Sequence, residues 1–198
     1  MSELPGVPFP FRWLLPPAES RLSDGVLTIV AGPRSDWFID PEGLAEPVMN
    51  APALVGEPDG DFVLSARVTV DFADTFDAGV LLLYAHDRAW AKLCFEYSPA
   101  GEAMVVSVVT RDVSDDCNST LLEGNTAWLR VARLGSAFAF HASTDARTWR
   151  LIRYFGLGPV DPVAVGFEAQ SPLGAGCRVT FDEIHFELAR LADLRSGI

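Results

Sequence analysis

The sequence predicts an all-β, antiparallel chain folded as a sandwich or barrel. Three observations predict it. Roughly ten segments of strand length follow one another at short spacing. Most of them alternate apolar and polar residues, the pattern of a sheet with one face on a core. Helix signals are nearly absent; only the tail ELARLADLRSGI could form a short terminal helix, or fray. At 198 residues and 49% apolar composition the chain can bury a large core, and it reads as one domain over 1–198.

The elements follow in order. GVLTIVAG (25–32) alternates and ends at Gly-Pro. Residues 31–60 hold five prolines and read as a long ordered loop. FVLSARVTV (62–70) sets Phe62, Leu64, Ala66, Val68 and Val70 on one side. GVLLLYAH (79–86) is almost continuously apolar, as for a strand covered on both faces. A short HDR turn leads into AWAKLCFEYS (89–98), and SPAGE leads into MVVSVVTR (104–111). VSDDCNS (113–119) reads as a polar loop reaching over the sheet. AWLRVARLG (127–135), AFAFHAS (137–143) and WRLIRYF (149–155) are strands; STDARTW (143–149) is a hairpin turn with Asp145 bonding its own backbone. VAVGFEAQS (163–171) and CRVTFDEIHFEL (177–188) complete the set.

The formal charge is −12, from 27 acidic and 15 basic residues, with no basic run. Nucleic acid and anionic membranes are therefore not expected as partners. The three cysteines, Cys94, Cys117 and Cys177, form neither a CxxC pair nor an even disulfide set. The N-terminus is a poor signal peptide, and no apolar stretch is long enough for a membrane span. The expected location is the cytoplasm.

Period two divides AWAKLCFEYS into Leu93, Phe95 and Tyr97 on one side and Trp90, Lys92, Cys94 and Glu96 on the other. VAVGFEAQS divides likewise, with Ala164, Gly166, Glu168 and Gln170 opposite its apolar set. MVVSVVTR sets Met104, Val106, Val108 and Thr110 against Val105, Ser107, Val109 and Arg111. In AWLRVAR, Trp128, Arg130 and Ala132 oppose Leu129, Val131 and Arg133. Side by side, such polar faces would make a shallow concave platform, with Gly166 and Ala132 leaving room for a ligand.

The segments FDAGVLLLYAHDRAWAKLCFEYS, VVSVVTRDVSDD, WLRVAR, STDARTWRLIR and VGFEAQSP, in that order, resemble the DUF1349 family over about residues 9–188. That family includes fungal proteins named for regulation of enolase. The resemblance implies a concanavalin A-like lectin/glucanase jelly roll of two antiparallel sheets. Asp77 matches the family's Asp before the Ala-Gly-Leu strand. Trp90, Lys92 and Glu96 match its Trp-x-Lys-x-x-x-Glu pattern, and Val109, Thr110, Ser114 and Asp115 its Val-Thr and Ser-Asp pairs. The aromatic that usually follows Ser-Asp is Asp116 here.

The candidate ligand-binding residues are Asp77, Trp90, Lys92, Glu96, Arg111, Ser114, Asp115, Glu168 and Gln170. Aromatic faces stack on the C–H side of a sugar, while carboxylates, amides and guanidinium groups take its hydroxyls. A non-catalytic saccharide-binding module is therefore the first expectation. A solvated face of cross-strand charge pairs, or a surface that binds a metabolic enzyme, would produce the same row. A glycoside hydrolase would use two of Asp77, Glu96 and Glu168, one with a raised pKa. Lys92, four residues from Glu96 on the same face, is expected to lower that pKa instead. DEIHFE (182–187) puts Glu183, His185 and Glu187 on one face, but the family resemblance implies that this last strand lies in the outer sheet and not in the cleft. No catalytic residue, cofactor or metal is assigned. Asp71, Asp74 and Asp77 lack EF-hand spacing, and no His-x-x-x-His pair or glycine-rich phosphate loop occurs. The oligomeric state is left open.

Overall fold

The computed structural model describes residues 3–198, which form sixteen strands and no helix. They are β1 (Phe11–Leu15), β2 (Glu19–Ser23), β3 (Val26–Val30), β4 (Trp37–Phe38), β5 (Val48–Met49), β6 (Ala53–Gly56), β7 (Phe62–Val70) and β8 (Ala78–His86). The chain continues through β9 (Ala89–Tyr97), β10 (Ala103–Arg111), β11 (Val113–Leu121), β12 (Thr126–Leu134), β13 (Ala137–Ser143), β14 (Arg150–Gly156), β15 (Ala164–Gln170) and β16 (Arg178–Glu187).

Two seven-stranded antiparallel sheets face each other. The first has the order β1-β6-β15-β8-β9-β10-β11, the second β14-β13-β12-β7-β16-β3-β2. The predicted alternation supplies the core between them. Leu81, Leu83, Leu93, Phe95, Val165 and Phe167 enter from the first sheet; Leu64, Val68, Leu129, Phe140, Val179 and Phe181 enter from the second. Each such side chain stabilises the fold by about 1.5–3 kcal/mol through burial. At Gly79 the layers close tightly: a Cβ there would stand 2.5 Å from Val68 Cγ1 and 2.6 Å from Val179 Cγ1.

Three segments differ from the sequence expectation. VSDDCNS is no loop: it belongs to β11, a nine-residue edge strand paired with β10. Its solvated edge position removes the apolar alternation that marks inner strands. The proline-bearing stretch contains β6 inside the first sheet and the small β4–β5 pair outside it. The tail is neither helical nor loose. Leu191 and Leu194 pack on Val63, Ala132, Leu134 and Ala139, on the outer face of the second sheet. Ala132 therefore stands on the opposite side of the molecule from Lys92 and leaves no room for a ligand there. The STDARTW turn forms as expected, with Asp145 Oδ1 accepting from Thr148 N at 2.7 Å and Arg147 N at 2.9 Å.

Candidate functional site

Strand register assembles the outer face of the first sheet. Trp90 lies between Tyr84 and Thr110, Lys92 between Leu82 and Val108, Cys94 between Val80 and Val106, and Glu96 between Ala78 and Met104. On one flank β15 adds Ala164, Gly166, Glu168 and Gln170 in step. On the other, β11 adds Ser114, Asp116 and Asn118.

Half of this face is covered. The segment carrying β4 and β5 lies across it and buries Trp37 and Ile39 against Leu82, Trp90, Val108 and Ala164. The rings of Trp37 and Trp90 meet edge to face at a centroid distance of 5.8 Å. Ser114 fastens this strap: its Oγ accepts from Ile39 N at 2.9 Å, and its own N donates to Ile39 O at 2.9 Å. Thr110 hydrogen-bonds the same hydroxyl at 2.9 Å.

Where the strap ends, a pocket of about 360 Å³ opens. Its polar lining is Asp36, Lys92, Glu96, Asp116, Asn118 and Gln170; Phe38, Phe76, Pro99, Met104, Val108 and Pro172 form the apolar walls. Lys92 is only 2% exposed. Its Nζ donates to Asp36 Oδ1 at 2.9 Å and to Gln170 Oε1 at 2.7 Å. Burial works against the ammonium, but the charges of Asp36 and Glu168 outweigh it and hold the Lys92 pKa above its ordinary value.

The carboxyl groups shift the other way. Glu168 is fully buried beside Lys92, and neither of its oxygens has a hydrogen-bond partner among the described residues. Burial pushes its pKa up to about 8, against the pull of Lys92. Glu96, 9% exposed, is also raised to about 8, by burial first and then by the charges of Asp116, Asp36 and Glu168, with Lys92 opposing. Asp116 is exposed on the edge strand, yet partial shielding of its carboxyl at the pocket mouth raises its pKa too. The expected lowering of Glu96 by Lys92 is thus reversed, because loss of hydration outweighs one nearby cation.

Of the candidate residues, Lys92, Glu96 and Gln170 line the pocket. Glu168 lies in the same face, closed off from solvent. Trp90 stands in the row but is 0% exposed, so its ring offers no stacking surface. Ser114 is a fastener of the strap, not a ligand contact. Asp77 organises the turn before β8: its Oδ2 accepts from Ala73 N and Asp74 N at 2.9 and 2.8 Å, and its Oδ1 accepts from Ser171 Oγ at 2.6 Å. Those contacts occupy the oxygens a cation would need.

Arg111 and Asp115 leave the face altogether. Arg111 pairs with Ala89 in register and shares the parity of the core residues Val105 and Val109, so it emerges exposed at the strand end. Asp115 pairs with Val109 on that same side, where Arg153 of the second sheet reaches it at 2.9 Å. Gly166 provides no room for a ligand either: a Cβ there would overlap the Leu54 carbonyl oxygen, so the glycine lets β6 close against β15. Asp36, Asp116, Asn118 and the apolar walls are the contributors the sequence did not reveal. Asp116 and Asn118 follow Ser114 at period two, a signal readable only once β11 is known to be a strand.

Two seven-stranded antiparallel layers, with a strap and pocket on one outer face, place the molecule in the class of concanavalin A-like β-sandwich proteins. Within that class, the chain belongs to the family described as protein of unknown function DUF1349, whose model matches residues 13–189. It is 33% identical over 125 residues to Regulation of enolase protein 1 of Saccharomyces cerevisiae, a match covering 62% of each chain. A solved structure of a functionally unknown protein from Saccharomyces cerevisiae superposes with a TM-score of 0.83 at 26% identity, covering 91% of this chain and 97% of that one. A GH43 protein from Bacillus licheniformis shares the fold with a TM-score of 0.70 at 12% identity, over 90% of this chain and 37% of its own.

Proposed function

We propose that the pocket on the outer face of the first sheet binds a small saccharide and does not transform it. The Glu96 carboxyl carries this reading. It is about nine-tenths buried, lines the pocket, and makes no hydrogen bond to another described residue. Unlike those of Glu168, its oxygens are not sealed from solvent, so a hydroxyl-bearing ligand entering the pocket can reach them and bond them in place of water. Asp116, Asn118 and Gln170 stand around the same opening as further hydrogen-bonding groups, while Phe38 and Phe76 supply apolar walls for C–H faces. Trp90 has no part in the contact.

Calorimetric titration with mono- and oligosaccharides tests this. Binding is expected, weakened about tenfold by Glu96→Gln or Asn118→Ala with the melting temperature nearly kept. Flat titrations at millimolar sugar overturn it. A second function follows from the yeast relative's name: regulation of a metabolic enzyme through this face. Recovery of enolase by the purified chain, lost on Asp116→Arg, supports that alternative.

A further inference from the structure

We propose that the saccharide carries a protonated amine, and that Glu96 with Asp116 receives it. This inference rests on the saccharide reading and narrows its ligand class.

Charge pairing around the pocket is the basis. Its cation, Lys92, is already committed: Asp36 takes its charge at 2.9 Å and Gln170 its second hydrogen bond at 2.7 Å. Arg153, across the edge of the sandwich, is committed to Asp115 at 2.9 Å. Glu96 and Asp116 line the opening with no ion pair to any described residue, and Glu168 lies buried behind them. A ligand thus meets two carboxyl groups with no cationic partner: Asp116 exposed at the rim, and Glu96 shielded deeper in, which carries a proton near neutral pH until a cation displaces it. An anionic sugar is repelled there. A neutral sugar uses the hydroxyl-bonding capacity and leaves the charge unmatched. An ammonium group matches it and, once the Glu96 proton has left, offers three donors to two acceptor-only carboxylates.

A metal ion fits less well. No group of three His, Cys, Asp or Glu side chains among the described residues converges closely enough to hold one. A cation that also donates directed hydrogen bonds, on a body with apolar faces, suits walls made by Phe38, Phe76 and Met104.

Binding carries a proton signature. The groups facing Glu96 are Lys92, which lowers its pKa, and Asp116, Asp36 and Glu168, which raise it. Near neutral pH the empty pocket therefore holds a proton on Glu96, and the incoming ammonium displaces that proton to solvent. Affinity rises with pH toward about 8 while the amine stays protonated.

The test is calorimetry on the full chain with matched pairs: glucose and glucosamine, galactose and galactosamine, cello-oligosaccharides and chitosan oligosaccharides. N-acetylglucosamine, glucuronate and butylamine serve as controls. The expected result is about tenfold tighter binding of the amino member of at least one pair. It comes with proton release in buffers of differing ionisation enthalpy, and the advantage disappears in Glu96→Gln. Equal binding within every pair, or tighter binding of the acetylated or acidic sugar, overturns the amine while leaving the saccharide function standing. An advantage that survives both Glu96→Gln and Asp116→Asn also overturns it. Butylamine binding as tightly as the hexosamine removes the sugar from the recognition and overturns the proposal. No binding by any probe overturns both claims.

Discussion

At Lys92, one ammonium sits among Asp36, Glu168 and Glu96 and keeps its charge although it is 2% exposed. Lys92→Met would leave Asp36 and Gln170 without their donor and remove the charge that holds back the upward shift of Glu168. The expected cost is about 3 kcal/mol or more, read from urea unfolding. Adding Glu168→Gln to that variant should restore part of the loss, as coupled neighbours do. An additive double variant would mean the two groups do not interact. Glu96 and Glu168 together set a pH dependence. Unfolded, Glu96 and Glu168 titrate near 4.5; folded, near 8. Between those values the folded state holds protons that the unfolded state has released. Their stabilising contribution is full below 4.5 and is lost as pH rises toward about 8. Urea midpoints should fall across that window, less steeply in Glu168→Gln. The row itself was legible, since period two separates Lys92 and Glu96 from Leu93 and Phe95. Arg111 was not, because grouping residues by polarity ignores which of a neighbouring strand's two parities lies alongside.

Among the elements, β11 and the strap decide what the face becomes. Inner strands such as β8, β9 and β12 were readable because burial on one or both faces imposes apolar patterning. Edge strand β11 is paired on one side only and carries the polar VSDDCNSTL, which resembles a loop in composition. Its charged residues protect an open edge. Its two neighbouring carboxylates should behave differently. Asp115→Ala breaks an exposed ion pair with Arg153 and is expected to cost under about 1 kcal/mol, with ligand affinity unchanged. Asp116→Asn changes affinity instead. Ser114→Ala removes the hydroxyl that holds Ile39 and Thr110, at about 1–3 kcal/mol, and should speed hydrogen exchange at the Ile39 amide. Unaltered exchange there would mean the strap is held by packing alone. The strap gave little signal because its role comes from Trp37 and Ile39 meeting residues distant in sequence.

For the whole molecule, the two outer faces are covered by different means, a strap on the first sheet and the C-terminal tail on the second. His141 contributes there. It lies under the tail with Nε2 2.7 Å from Leu194 O, and burial lowers its pKa to about 4. Deleting residues 189–198 should lower the melting temperature through loss of the Leu191 and Leu194 contacts, yet leave titrations at the first-sheet pocket unchanged. A change in ligand affinity would show that the sheets communicate. The net charge of −12 adds a long-range term: affinity for a cationic sugar should decline with added salt, and for a neutral sugar it should not.

The buried Trp37–Trp90 pair has a practical consequence. Lys92 Nζ lies 5.8 Å from the centre of the Trp90 ring, so an indole chromophore is built into the floor beside the pocket. The other tryptophans are Trp13, Trp128 on the far sheet, and Trp149 just before β14. With those three replaced by phenylalanine, emission and near-ultraviolet dichroism report from this one corner of the molecule. Occupancy and protonation of the pocket then become visible as light, without a label on either ligand or protein.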